Sequence, residues 1–237
     1  MLAVAAVVVI AVAGISLLRQ PSNSGVGGSS PSPEPTPSPS TAPSAGAVFP
    51  EWYTTNDLSA AGILPAGKAT TKRFLSGSTF NVPAGWVNTT DTTDFYGLFP
   101  DTAANKAEFG LSGSTAQNIV MGIVDSPSGL VCDGVDVTGA TAAELVDSLV
   151  ADETLVTSEP VEVTIGGLTG TSVDAHVDPA SAGSCAKDYR GRFVFLDIPG
   201  GGGKLLIVID SAHAADFDGL LGMAMSVVES FEFDLSN

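Results

Sequence analysis

Basic residues are scarce: nine lysines and arginines stand against 26 aspartates and glutamates in a chain of 237 residues. Arg19 and Glu34 cancel, so residues 47–237 carry all of the net charge of −17. A surface this acidic repels phosphate backbones and anionic lipid, which excludes nucleic acid as a partner. Histidine and cysteine ligands for a metal are few as well. The two histidines, His176 and His213, and the two cysteines, Cys132 and Cys185, form no close pair such as C-x-x-C. No metal and no other cofactor is therefore expected.

Catalytic motifs are missing as well. Gly110-Leu-Ser-Gly-Ser114 lacks the last glycine of a nucleophile elbow. Asp210, Ser211 and His213 are nearly adjacent in sequence, whereas a working triad converges from separate elements; Ser211 reads instead as a helix N-cap. Gly200–Gly203 precede Lys204, but Leu205 follows where a phosphate loop needs Ser or Thr. A flexible hairpin turn is the expectation there. Gly25-Val-Gly-Gly28 lies in a linker and carries no nucleotide chemistry. Asp91 with Asp94, and Asp133 with Asp136, are the densest carboxylate pairs. They lack the alternating order of a calcium loop and read as solvated loop charge. Nothing singles out a glycosidase pair among so many carboxylates.

What is present begins at the N-terminus. Met1–Leu18 holds no charged side chain and is dominated by Ala, Val, Ile and Leu. As a helix it spans about 27 Å, close to the hydrocarbon thickness of a bilayer. A cleaved signal peptide needs a basic n-region and a small-residue cleavage site; here Arg19-Gln20-Pro21 follows the apolar run. An uncleaved transmembrane anchor is the preferred reading, and secretion is the outcome if the segment is cleaved. No cysteine near its end offers a lipoprotein site. Arg19 lies on the side assigned to the exterior, against the positive-inside tendency, which a start upstream of Met1 would explain.

Residues 19–46 are Pro/Ser-rich and lack the apolar mass to offset ordering entropy. At about 3 Å per residue they reach some 80 Å, a passive spacer between membrane and domain. About 190 residues remain, enough for one domain with its own core. An even cysteine count in an exported chain reads as one disulfide, Cys132–Cys185, with two buried thiols as the alternative.

Within the domain, Asp57 caps a short turn ending at Gly62, and Trp52 and Tyr53 open the ordered region. Residues 68–75 and 78–82 read as strands, with Pro83-Ala-Gly-Trp86 ending their hairpin. Trp86 is assigned to the core. Asp94–Phe99 and Gln117–Val124 are further strands. Thr141-Ala-Ala-Glu144 is a capping box opening a helix over 142–151 with the stripe Leu145, Leu149 and Val150. Val161–Ile165 alternates, Gly166-Gly167 turns the chain, and Val173, Ala175 and Val177 alternate on the return. Ile119–Val124, Phe193–Leu196 and Leu205–Ile209 are apolar on both faces, as mid-sheet strands are. Phe217, Leu220, Leu221, Ala224, Val227, Val228 and Phe231 share one helical stripe, and Phe233 starts a short last strand. The expected fold is α+β, a mostly antiparallel sheet with helices on both faces.

Three segments carry a resemblance. Thr79-Phe-Asn-Val-Pro-Ala-Gly-Trp86 is similar to the strand and Pro-x-Gly-Trp opening of PsbP-like domains. Helix 141–151 followed by Val163-Thr-Ile-Gly-Gly-Leu168, and the closing Val228-Glu-Ser-Phe-Glu-Phe233, resemble exported domains of high-GC Gram-positive bacteria, nearest the LpqN-type lipoproteins. The chain departs from that group in lacking the lipobox cysteine. The resemblance implies an α/β/α sandwich over residues 63–235 and an accessory or binding role in the envelope, and it brings no catalytic residues.

The expected function is thus a non-catalytic, membrane-tethered extracytoplasmic domain, monomeric, that binds an envelope component or partner protein. The ectodomain of a sensor protein truncated at its N-terminus is the alternative, followed by an envelope hydrolase.

Overall fold

The computed structural model describes residues 47–48, 63–105, 117–124, 137–180, 188–201 and 203–236. The N-terminal apolar segment, nearly all of the linker, Trp52, Tyr53, Asp57, Gly110–Ser114, Asp133, Asp136 and both cysteines lie outside these residues. Among the described residues no helix is long and apolar enough to cross a membrane.

Among the described residues twelve strands and two principal helices follow one another: β1 (Ala47–Val48), β2 (Ile63–Leu64), β3 (Gly67–Thr70), β4 (Thr79–Val82), β5 (Trp86–Asp91), β6 (Phe95–Pro100), β7 (Gln117–Val124), α1 (Ala142–Val150), β8 (Leu155–Thr157), β9 (Val161–Ile165), β10 (Leu168–Val177), β11 (Arg190–Asp197), β12 (Lys204–Ser211) and α2 (Ala214–Val228). The fold is α+β with a mostly antiparallel sheet. The main sheet runs β2-β5-β6-β7-β12-β11-β10-β8, with β9 also paired to β10; a small sheet runs β1-β3-β4, and β1–β3 is its parallel pair.

The two-sided apolar strands take the middle of the sheet. In β11 and β12 cross-strand partners share a face: Phe193 with Val208, Val194 with Ile207, Phe195 with Leu206 and Leu196 with Leu205. Phe193, Phe195, Leu206 and Val208 pack in one buried cluster with Leu145, Val146 and Leu149 of α1. Val194, Leu196, Leu205 and Ile207 pack in another with Leu220, Ala224, Val227 and Val228 of α2. This follows from the period-two alternation of strand side chains.

Helix α1 begins as its sequence requires. Thr141 Oγ1 accepts from the Glu144 amide at 3.2 Å, and Glu144 Oε2 accepts from the Thr141 amide at 3.1 Å. Its buried stripe is Ala142, Leu145, Val146 and Leu149, whereas Val150 is 39% exposed. The i, i+3, i+4, i+7 spacing from Ala142 sets the face and turns Val150 off it. On α2, Phe217, Leu220, Ala224, Val227 and Val228 are buried, and Leu221 sits half-buried at the stripe's margin.

Four local expectations need correction. The strand read over 68–75 stops at Thr70, because the amides of Lys72, Arg73 and Phe74 turn inward to the Asp91 carboxylate at 2.7, 3.0 and 2.7 Å. Asp91 is accordingly buried, not a solvated loop charge. Trp86 is buried, as expected, but it opens β5 instead of ending a hairpin. The polar run Val87-Asn-Thr-Thr-Asp91 concealed that strand; Asn88 Nδ2 donates to the Thr90 and Gly97 carbonyls across a bulge. Phe233 starts no strand. The tail touches β4 through one bridge, Thr79–Glu232, and Phe231 stacks on Phe80 with ring centroids 4.3 Å apart.

Candidate functional site

A shallow groove of about 460 Å3 opens where the C-terminal half of β10 meets β8, the start of β11 and the first residue of α2. Its position follows from strand pairing. Strand β8 pairs with β10 only over Ala175–Val177, and β9 takes the other half, so the edge is split. On the face of β10 that carries Asp174 and His176, the opposite residues of β11 are Arg192 and Arg190. Four polar side chains of an acidic domain thus form a two-by-two array.

Each arginine is held differently. Arg192 forms a fork with Asp174, Nε to Oδ1 at 2.6 Å and Nη2 to Oδ2 at 3.0 Å. Arg190 reaches Asp218 Oδ1 at 3.1 Å and lies 4.7 Å from the centroid of the Phe217 ring. The groove's other lining includes Thr157, Ser158, Tyr189 and Ala214. Ser158 Oγ accepts from the Asp174 amide at 3.0 Å and donates to the Glu159 carbonyl at 3.2 Å. This hydroxyl is tied to the backbone and has no histidine as its partner.

Of the histidines, His176 lines the groove and is exposed, as its place on the polar face of β10 requires. His213 is the N-cap of α2 and makes no side-chain cap bond. Ser211 is therefore not the N-cap: it is fully buried, its Oγ accepting from the His213 amide at 3.1 Å and donating to the His213 carbonyl at 2.9 Å. Lys204 opens β12 after a 3-10 turn at Pro199–Gly201, with Gly200 at φ 77°, so the glycine run is a hairpin turn. Among the described residues no three His, Cys, Asp or Glu side chains gather around a common point.

Beneath the groove, on the opposite face of the sheet, lies a buried polar pair that sequence reasoning missed as such. Asp210 stands opposite Gly191 on β11 and Asn118 on β7. Burial pushes its carboxyl up to about 7, and the nearby Tyr189 hydroxyl draws it back in part. Tyr189 itself is raised well above its ordinary value, first by burial and then by the charge of Asp210. Tyr189 Oη, Asp210 Oδ1 and Asn118 Oδ1 complete no hydrogen bond among the described residues. An acid within an apolar strand was the available signal. Its partner, twenty-one residues away in sequence, was not.

No protein-family model matches this chain, and no curated protein matches it.

Proposed function

We propose that residues 47–237 form a non-catalytic extracytoplasmic binding domain, tethered to a membrane by Met1–Leu18 through the Pro/Ser-rich linker, and that it takes an envelope component or a partner protein in the groove of β8, β10, β11 and α2. The observation that carries the reading is the groove's construction. The Arg192–Asp174 fork, the Arg190–Phe217 contact and the bonds of Ser158 to the backbone fix its polar groups in place, in the way of a preformed recognition surface. Export is supported by the uncharged N-terminal run and the low-complexity spacer.

The architecture belongs to the same reading. We take the main sheet to be covered by helices on both faces, an α/β/α sandwich of PsbP-like type. The support is the alternation of β11 and β12 residues between a cluster holding α1 and a cluster holding α2.

The test is cosedimentation of the full chain, in detergent micelles, with isolated cell-envelope material. Ala214→Trp fills the groove from an exposed helix position. The native chain is expected to cosediment and the variant to stay in solution. Equal cosedimentation of the two, or none by either, contradicts the groove as the binding site.

A further inference from the structure

Arg190 has two neighbours of opposite character. Phe217 is fully buried, so the ring beneath the guanidinium fixes the position of the cation. Asp218, its charge partner, is 79% exposed. A surface pair of this kind contributes little and exchanges readily with other carboxylates. Arg192, two residues along on the same face, is committed: both members of its fork with Asp174 are less than a third exposed. One arginine is thus structural, and the other is held in place with a replaceable anion.

We propose that the groove takes a carboxylate carried on a short apolar body, bound in a fork by Arg190 once the Asp218 side chain swings out. Asp218 is an internal placeholder for that ligand, and this inference rests on the groove being the binding site. Planar guanidinium and carboxylate groups match in two parallel hydrogen bonds. The apolar body has Val156, 44% exposed, and the exposed Ala214 along the same groove. The first turn of α2, whose N-cap His213 gives no side-chain cap, adds a favourable dipole end. A net charge of −17 turns polyanions away, which selects for a single negative charge on an otherwise neutral body. Both a peptide's free C-terminus and a short-chain carboxylic acid have this chemistry.

The chain has four arginines, Arg19, Arg73, Arg190 and Arg192, so isotope labelling of arginine gives a compact set of side-chain resonances. The full chain in micelles is titrated with N-acetyl-alanyl-alanine, with the C-terminal amide of that dipeptide, and with butyrate. The acid is expected to shift Arg190 saturably while Arg19 and Arg73 stay in place, and the amide to bind about tenfold more weakly or worse. Asp218→Asn removes the internal competitor from an exposed position and is expected to tighten the acid by about three- to tenfold. Arg190→Gln is expected to abolish binding of the acid by titration calorimetry, with the thermal midpoint recorded to show that the variant is folded. Butyrate binding as well as the dipeptide assigns the site to short acids, and weaker binding assigns it to peptide ends. Equal binding of acid and amide, equal shifts of all four arginines, or an unchanged affinity in Asp218→Asn overturns the proposal. If Arg190 fails to respond while the native chain still cosediments with envelope material and Ala214→Trp does not, the carboxylate proposal falls and the groove remains the binding site.

Discussion

Tyr189 Oη and Asp210 Cβ lie on the same side of Gly191: a Cβ built there would stand 3.0 Å from the first and 3.3 Å from the second. A side chain at Gly191 would crowd both groups. Asp210 is 7% and Tyr189 8% exposed, so neither is relieved by water.

Asp210 makes stability fall as pH rises. Its folded-state value is about 7 against 3.8 for the free side chain. Between those values the folded chain holds a proton that the unfolded chain has lost, so the contribution of this group is full below about pH 4 and is lost as pH rises to about 7. The loss from this group is on the order of 4 kcal/mol. Asp210→Asn keeps the shape and removes the charge. Urea denaturation at pH 5 and pH 8 should show the native chain losing stability between the two, and the variant losing much less. Parallel losses in both would contradict the assignment.

Asp91 is a scaffold carboxylate. Its Oδ1 accepts from Arg73 and Phe74 and its Oδ2 from Lys72, and these bonds replace the strand that residues 72–75 would otherwise continue. Asparagine satisfies one side only and turns an NH2 group toward an amide donor. Asp91→Asn should cost about 2–4 kcal/mol by chemical denaturation, with loss of a buried charged acceptor as the cause. A cost below about 0.5 kcal/mol would show that the turn holds itself.

Much of this was legible from residues alone, and the gaps have physical causes. The capping box at Thr141 and the apolar strands β7, β11 and β12 were readable because local chemistry decides them. Strand β5 was not: its Asn and Thr residues read as loop, and it is a strand because β6 and β2 pair with it. The groove was invisible for the same reason. His176 and Arg190 are cross-strand partners brought together by register.

Glycines separate close approach from free space. A Cβ at Gly170 would collide with the Phe195 carbonyl oxygen, whereas nothing lies within 4 Å of one at Gly219 in α2. Gly170→Ala should lower stability by more than about 2 kcal/mol or prevent folding, since backbone must move. Gly219→Ala, in a helix interior, should raise it by about 0.5–1 kcal/mol. Melting temperatures that move the same way for both variants would contradict these placements.

The cysteines are expected to be paired. Val137 follows Cys132 by five residues and Tyr189 follows Cys185 by four, and Val137 and Tyr189 share one buried cluster. The bond should stabilise by roughly 4 kcal/mol in the chain-entropy account. Denatured, unreduced protein from its native source should resist alkylation at both positions, and full alkylation would exclude the bond.

The proposed topology puts the domain and its groove outside a membrane, on the Pro/Ser-rich linker as a tether. The most direct measurement is protease added to intact cells whose wall is permeable to it. Cleavage between Pro21 and Gly46 with release of the folded domain is the predicted result. Protection of the domain until the membrane is lysed would contradict it, and the disulfide and the envelope ligand would fall with it.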